Sequence, residues 1–124
     1  MLIEFQFCDQ VPSYDTGSVY FARLGKDIGG TDYLINALFY LFVFPGYFGF
    51  NWDALSDCLT DFTWINEKHI ILYHEELPQI LDDDLKVYLK ILNRAALVWR
   101  EGNEHDFTVY FMNGDRKKIL QLLK

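Results

Sequence analysis

Cysteine is scarce in this chain. The two present, Cys8 and Cys58, lie fifty positions apart. They give no disulfide framework, and read as free buried thiols of a reducing cytosol, with a single disulfide as the alternative. Cations are also few: 11 Lys and Arg stand against 18 Asp and Glu, a net charge of −7. Such a surface repels phosphate backbones, which argues against direct nucleic-acid binding, and it attracts a basic partner. Long apolar runs are missing. The longest, Ala37 to Gly46, contains Tyr40 and Pro45 and falls short of the ~20 residues of a membrane helix. The first residues alternate apolar with polar and carry no basic leader, unlike a signal peptide. A cytoplasmic protein is expected.

Metal and nucleophile motifs are absent too. His69, His74 and His105 are scattered, and neither an HxxxH nor a paired CxxC spacing occurs, so no metal and no cofactor are expected. Gly25 to Gly30 lacks the spacing of a phosphate loop and reads as a surface turn. The three aspartates near Cys58, Asp53, Asp57 and Asp61, raise a thiol's pKa, and no histidine is close in sequence, so Cys58 reads as packing rather than as a nucleophile. No catalytic residue, and no enzyme, is expected.

What is there is apolar and aromatic: 51% and 18% of 124 residues. That suffices for one core and one domain, residues 1–124. No repeat or linker interrupts it. Alternation over residues 2–7, with Ile3, Phe5 and Phe7 on one side, predicts a strand. Val11 to Gly17, with Pro12, Ser13 and Asp15, is turn chemistry. Strands follow at 19–24, 69–74 and 107–112. The Ile70–Tyr73 run is continuously apolar, as in a strand covered on both faces. Helices are predicted from about 32 to 43, capped by Thr31 or Asp32 and stopped before Pro45; from Asn51 to about 62; and from 82 to 100, opened by Asp82, Asp83 and Asp84 and ended by Gly102 and Asn103. Asn113-Gly114 turns into a short C-terminal helix with Ile119, Leu122 and Leu123 inward. Strands separated by helices predict an α/β fold with parallel pairing.

The segment 44–62 is the most informative. Trp52, Leu55, Leu59 and Phe62 share one helix face. Asp53, Asp57 and Asp61 form another at a spacing of four, with no cation between them, although like charges so placed repel. That face is either solvated or reserved for a cationic partner. Before it, Tyr47, Phe48 and Phe50 crowd between Gly46 and Gly49. Either all three enter the core, or one stays near the surface as interface material.

The run Phe44-Pro45-Gly46-Tyr47-Phe48-Gly49-Phe50-Asn51-Trp52-Asp53-Ala54-Leu55-Ser56-Asp57-Cys58-Leu59 strongly resembles the signature of the barstar family, bacterial intracellular inhibitors of the ribonuclease barnase. The resemblance covers about residues 18–112. It implies a small three-stranded parallel sheet packed with helices, here with an extra N-terminal strand and C-terminal helix. It also implies a monomeric inhibitor that plugs the active site of a basic, extracellular-type ribonuclease one to one. The implied partner-binding set is Tyr47, Phe48, Gly49, Asn51, Asp53, Ser56, Asp57, Asp61 and Phe62. Within it, Asp57 is the deepest phosphate mimic, Asp53 a second ion pair and Tyr47 the aromatic contact. Gly49 gives close backbone approach, and Phe62 is an aromatic at the rim.

The chain departs from the pattern in four places. Ser56 stands where the signature has tryptophan, and Phe50 where it has an acid. Asp61 replaces a small residue. The family's third-helix glutamate has no match near Asn93, Arg94 and Leu97. An immunity or adaptor protein that turns the same acidic surface toward a different basic toxin or partner is the alternative reading.

Overall fold

The structure is a computed structural model and describes residues 2–14, 17–102 and 104–124. Four strands, β1 (Gln6–Cys8), β2 (Val19–Leu24), β3 (His69–His74) and β4 (Asp106–Met112), form one parallel sheet in the order β1-β4-β3-β2. The helices are α1 (Thr31–Phe42), α2 (Trp52–Leu59), α3 (Asp82–Glu101) and α4 (Arg116–Leu122), the last entered through a 3-10 turn at Asn113–Asp115. The architecture is the expected mixed α/β one, and β1 makes the sheet four-stranded by pairing Gln6–Cys8 with Tyr110–Met112.

Alternation sorts the sheet. Ala22, Leu24, Ile70, Leu72, Phe107, Val109 and Phe111 enter the same core as Leu34, Leu38, Leu55, Leu59, Leu85, Leu89 and Leu92 of the helices. The central strand β3 is buried from Ile70 to His74, as its apolar run requires. On the other face Tyr14 stacks on Phe21 at 4.5 Å and Phe21 leans on Tyr73.

Several boundaries differ from the sequence reading. Residues 2–5 extend the N-terminus without a ladder. They are held instead by Asn93, whose amide donates to the Leu2 carbonyl (2.8 Å) and accepts from the Glu4 N–H (2.7 Å). Helix α1 is capped by neither Thr31 nor Asp32. Its cap is Gly30, at φ 109°, a conformation that favours glycine. Thr31 reaches Asp84 instead. At its far end Val43 is left-handed at φ 52° and Phe44 N–H bonds the Phe39 carbonyl. Gly102 caps α3; Asn103, Asp15 and Met1 lie outside the described residues.

The largest correction concerns α2, which ends at Leu59 rather than near 62. Thr60 is its C-cap, and Asp61 and Phe62 continue in a turn whose N–H groups both bond the Cys58 carbonyl. Phe62 turns left-handed at φ 49° and is 0% exposed. Its ring lies against Phe42, Trp99 and Phe107. It is a core residue, so it offers a partner no rim.

Candidate functional site: an acidic groove beside an aromatic loop

Asn51 sets the start of α2. Its extended backbone and side-chain oxygen, which accepts from the Ala54 N–H at 2.8 Å, satisfy a donor that a helix start leaves open. Its amide nitrogen donates to the Gly49 carbonyl at 3.3 Å, tying the loop to the helix. A Cβ on Gly49 would stand 3.3 Å from that nitrogen and 3.7 Å from the Ala54 methyl. Glycine there keeps the capping amide seated.

From this start the 3.6-residue period distributes the rest. Leu55, Cys58 and Leu59 turn inward, and Trp52 is half-buried with its ring 6.2 Å from Tyr88. Asp53 and Asp57 are both exposed, one turn apart. Asp53 lies in the first turn, where the positive end of the helix dipole favours a carboxylate.

The loop is shaped by one turn. Phe48 N–H bonds the Pro45 carbonyl at 3.0 Å, which places Gly46 and Tyr47 at the corner. Tyr47 is thereby thrown outward, 75% exposed, whereas Phe48 is 6% exposed and packs between Phe44 and Phe39. Phe50 follows in a left-handed conformation, φ 51°. Of the three aromatics, then, one enters the core and two remain at the surface.

A shallow groove of about 310 Å³ runs between loop and helix, lined by Tyr47, Phe48, Gly49, Asn51, Asp53, Ala54, Asp57 and Cys58. It gathers six of the nine residues named from the resemblance. Phe48 contributes to its floor, not to an exposed contact. Ser56, half-buried, lies outside the groove; its carbonyl accepts the Thr60 hydroxyl. Asp61 follows the helix and stands by Tyr47, whose phenol is raised above its ordinary pKa by desolvation, by the charges of Asp61 and Cys58, and by a hydrogen bond with Asp61. Phe62 is absent from the groove because it is in the core.

The groove has the electrostatics of a receptor for cations. The ion pairs among the described residues join Arg23 to Glu75, His69 to Asp106, Arg100 to Glu4 and Lys118 to Asp82. None uses Asp53, Asp57 or Asp61. The same charges make it a poor nucleophilic site. Burial, then Asp61 and Asp57, push the Cys58 thiol up to about 11, so it is protonated at neutral pH. His74 is enclosed in the core and His105 bonds the Glu67 carbonyl. Among the described residues, no group of three or more His, Cys, Asp or Glu could hold a metal, no helix is long and apolar enough to cross a membrane, and both cysteines are free thiols.

Phe50 was not among the residues expected at the site. It sits between the groove's Gly49 and Asn51 and is 45% exposed. No sequence signal separates it from Phe48; the left-handed backbone decides which ring faces out.

A family model described as Barstar (barnase inhibitor) matches residues 22–112, a span from β2 through β4 that contains the loop, α2 and the groove. No individual curated protein matches the chain significantly. With most of its length covered by that match, and with a parallel sheet, capped acidic helix and aromatic loop in place, the chain belongs to the barstar family.

Proposed function

We propose that this protein inhibits a basic, barnase-like ribonuclease by seating α2 and the loop at 45–51 in its active site, one to one. One observation carries the reading. Asp53 and Asp57 are exposed one turn apart on a capped helix, beside exposed Tyr47, and none of the ion pairs among the described residues uses them.

A ribonuclease site must hold phosphate with Arg, Lys and His. Carboxylates on a rigid helix meet those cations with little ordering cost. Asp57 takes the deepest cation and Asp53 the second, while Tyr47 covers them from the loop and excludes water. The net charge of −7 accelerates the encounter and makes it sensitive to salt. The chain acts as a monomer in the cytoplasm. The family's description as an inhibitor accords with a groove that holds no activated nucleophile.

The second reading, an immunity or adaptor protein for a different basic toxin, draws on Ser56, which leaves the outer side of α2 without a bulky aromatic. Calorimetric titration into barnase at low and moderate salt separates the two, with Asp57→Ala as control. The inhibitor reading predicts tight one-to-one binding that weakens with salt. Asp57→Ala then loses about 2 to 5 kcal/mol, the cost of leaving buried cations unpaired, without a change in melting temperature. Absence of wild-type binding would remove the ribonuclease and favour another basic partner.

A further inference from the structure

The acidic surface does not stop at the groove. From Asp27 to Glu67 the chain contains six acids and no Lys, Arg or His. This stretch builds α1, the aromatic loop and α2. Asp32, in the first turn of α1, is exposed and takes part in none of the ion pairs among the described residues. It borders a second shallow depression, of about 300 Å³, with Ile35, Asn36 and Phe50.

Phe50 links the two depressions along the chain. Its chain neighbours Gly49 and Asn51 line the first, and its own ring lines the second. The ring rests 4.9 Å from both Phe39 and Phe48, which fixes its direction while 45% of it stays in water. The backbone beneath it is left-handed, φ 51°. Bulky residues adopt that conformation at a cost, and glycine or asparagine would adopt it freely. A half-exposed ring held in a fixed direction between two acid-lined depressions has the composition of an interface.

We infer that Phe50 is an apolar anchor of the ribonuclease contact, and that the depression beyond it receives a cationic loop of the same ribonuclease at Asp32. This rests on the inhibitor reading and extends its footprint from α2 across the loop onto α1. The occupant follows from charge: Asp53 and Asp57 line one depression and Asp32 the other, so a partner that covers the first with cations matches the second. A ring fully desolvated at the centre of such a contact has the place and composition of a binding hot spot.

The test is titration into catalytically inactive barnase of the wild type, Phe50→Ala, Asn36→Arg and Asp57→Ala, with thermal melts of each. Asn36 is exposed, and its side chain only bonds the Asp32 carbonyl of its own helix. An arginine there pairs with Asp32 at i,i+4, keeps the helix, and fills and neutralises the depression. Phe50→Ala and Asn36→Arg should each weaken binding roughly tenfold or more. Asn36→Arg should also flatten the salt dependence, whereas Phe50→Ala should leave its slope alone. If both bind like the wild type while Asp57→Ala collapses, the contact ends at the first groove and the inference is wrong. If Phe50→Ala unfolds, Asn36→Arg decides alone. If the wild type does not bind, the inhibitor reading fails and this extension fails with it.

Discussion

Lowering the pH from 7 to 4 brings the buried imidazole of His74 into its titration range. It is fully enclosed, stacked on Phe111 at 4.0 Å, with Nδ1 2.9 Å from the Tyr110 carbonyl and Nε2 2.7 Å from the Tyr88 hydroxyl. A carbonyl only accepts, so Nδ1 carries the proton and Nε2 accepts from Tyr88. A second proton, on Nε2, would force the Tyr88 hydroxyl to turn from donor to acceptor and would place a charge in the core. Burial lowers its pKa from 6.5 to about 4, against a smaller opposing effect of the Tyr110 bond. In the unfolded chain the imidazole takes up a proton near pH 6.5, whereas in the folded chain it does so only near pH 4. The unfolded state binds more protons throughout that window, so stability is fully present above pH 6.5 and is lost as the pH falls. The loss is about 2 kcal/mol by pH 5 and about 3 kcal/mol by pH 4. Urea unfolding of the wild type and of His74→Gln, which offers a donor and an acceptor but does not titrate, isolates this from the carboxylates common to both. With a urea slope of about 1–3 kcal/mol per molar, the wild-type midpoint should fall by roughly 1–3 M more than that of the variant between pH 7 and pH 4. An equal fall in both proteins would refute the assignment of a neutral, buried His74.

Two other outcomes follow from the local chemistry. Asn51→Ala removes the cap of α2 and the tie to Gly49, and should cost about 1 kcal/mol; an unchanged denaturation midpoint would mean that the cap does not hold the helix start. With iodoacetamide at pH 8, half-buried Cys8 should react before Cys58, which is buried and whose thiol is pushed up to about 11. Cys58 should react only as fast as the protein opens, and equal rates for the two thiols would contradict its placement on the inward face of α2.

The parts of this molecule legible in the sequence were local. Asn51 announces its cap because the capping bond spans three residues. The long helix shows its buried face because Leu85, Leu89, Leu92, Ala96 and Trp99 repeat at helical spacing, and all five are buried. What misled was spacing that two structures share. Trp52, Leu55, Leu59 and Phe62 fit a helix face, yet Phe62 reaches the core by leaving the helix through a left-handed turn. Asp61 leaves the helix with it. Likewise Ile3, Phe5 and Phe7 alternate as a strand should, but only residues 6–8 find a ladder, because the register is set by β4 a hundred residues away. The sequence places His74 at one end of a strand, but its bonds to Tyr88 and the Tyr110 carbonyl are ones that no spacing reports. At the site, the carboxylate pair was visible from periodicity, whereas the opposite fates of Phe48 and Phe50 depend on backbone angles between two rings of the same type.

The central claim is that the exposed carboxylates of α2 occlude a ribonuclease active site. Hydrolysis of a fluorogenic RNA by barnase, followed while this protein is added, tests it most directly. Activity should fall linearly to near zero at one equivalent, and Asp57→Ala, equally stable, should restore most of it at the same concentration. Full hydrolysis in the presence of excess folded wild-type protein would contradict the account.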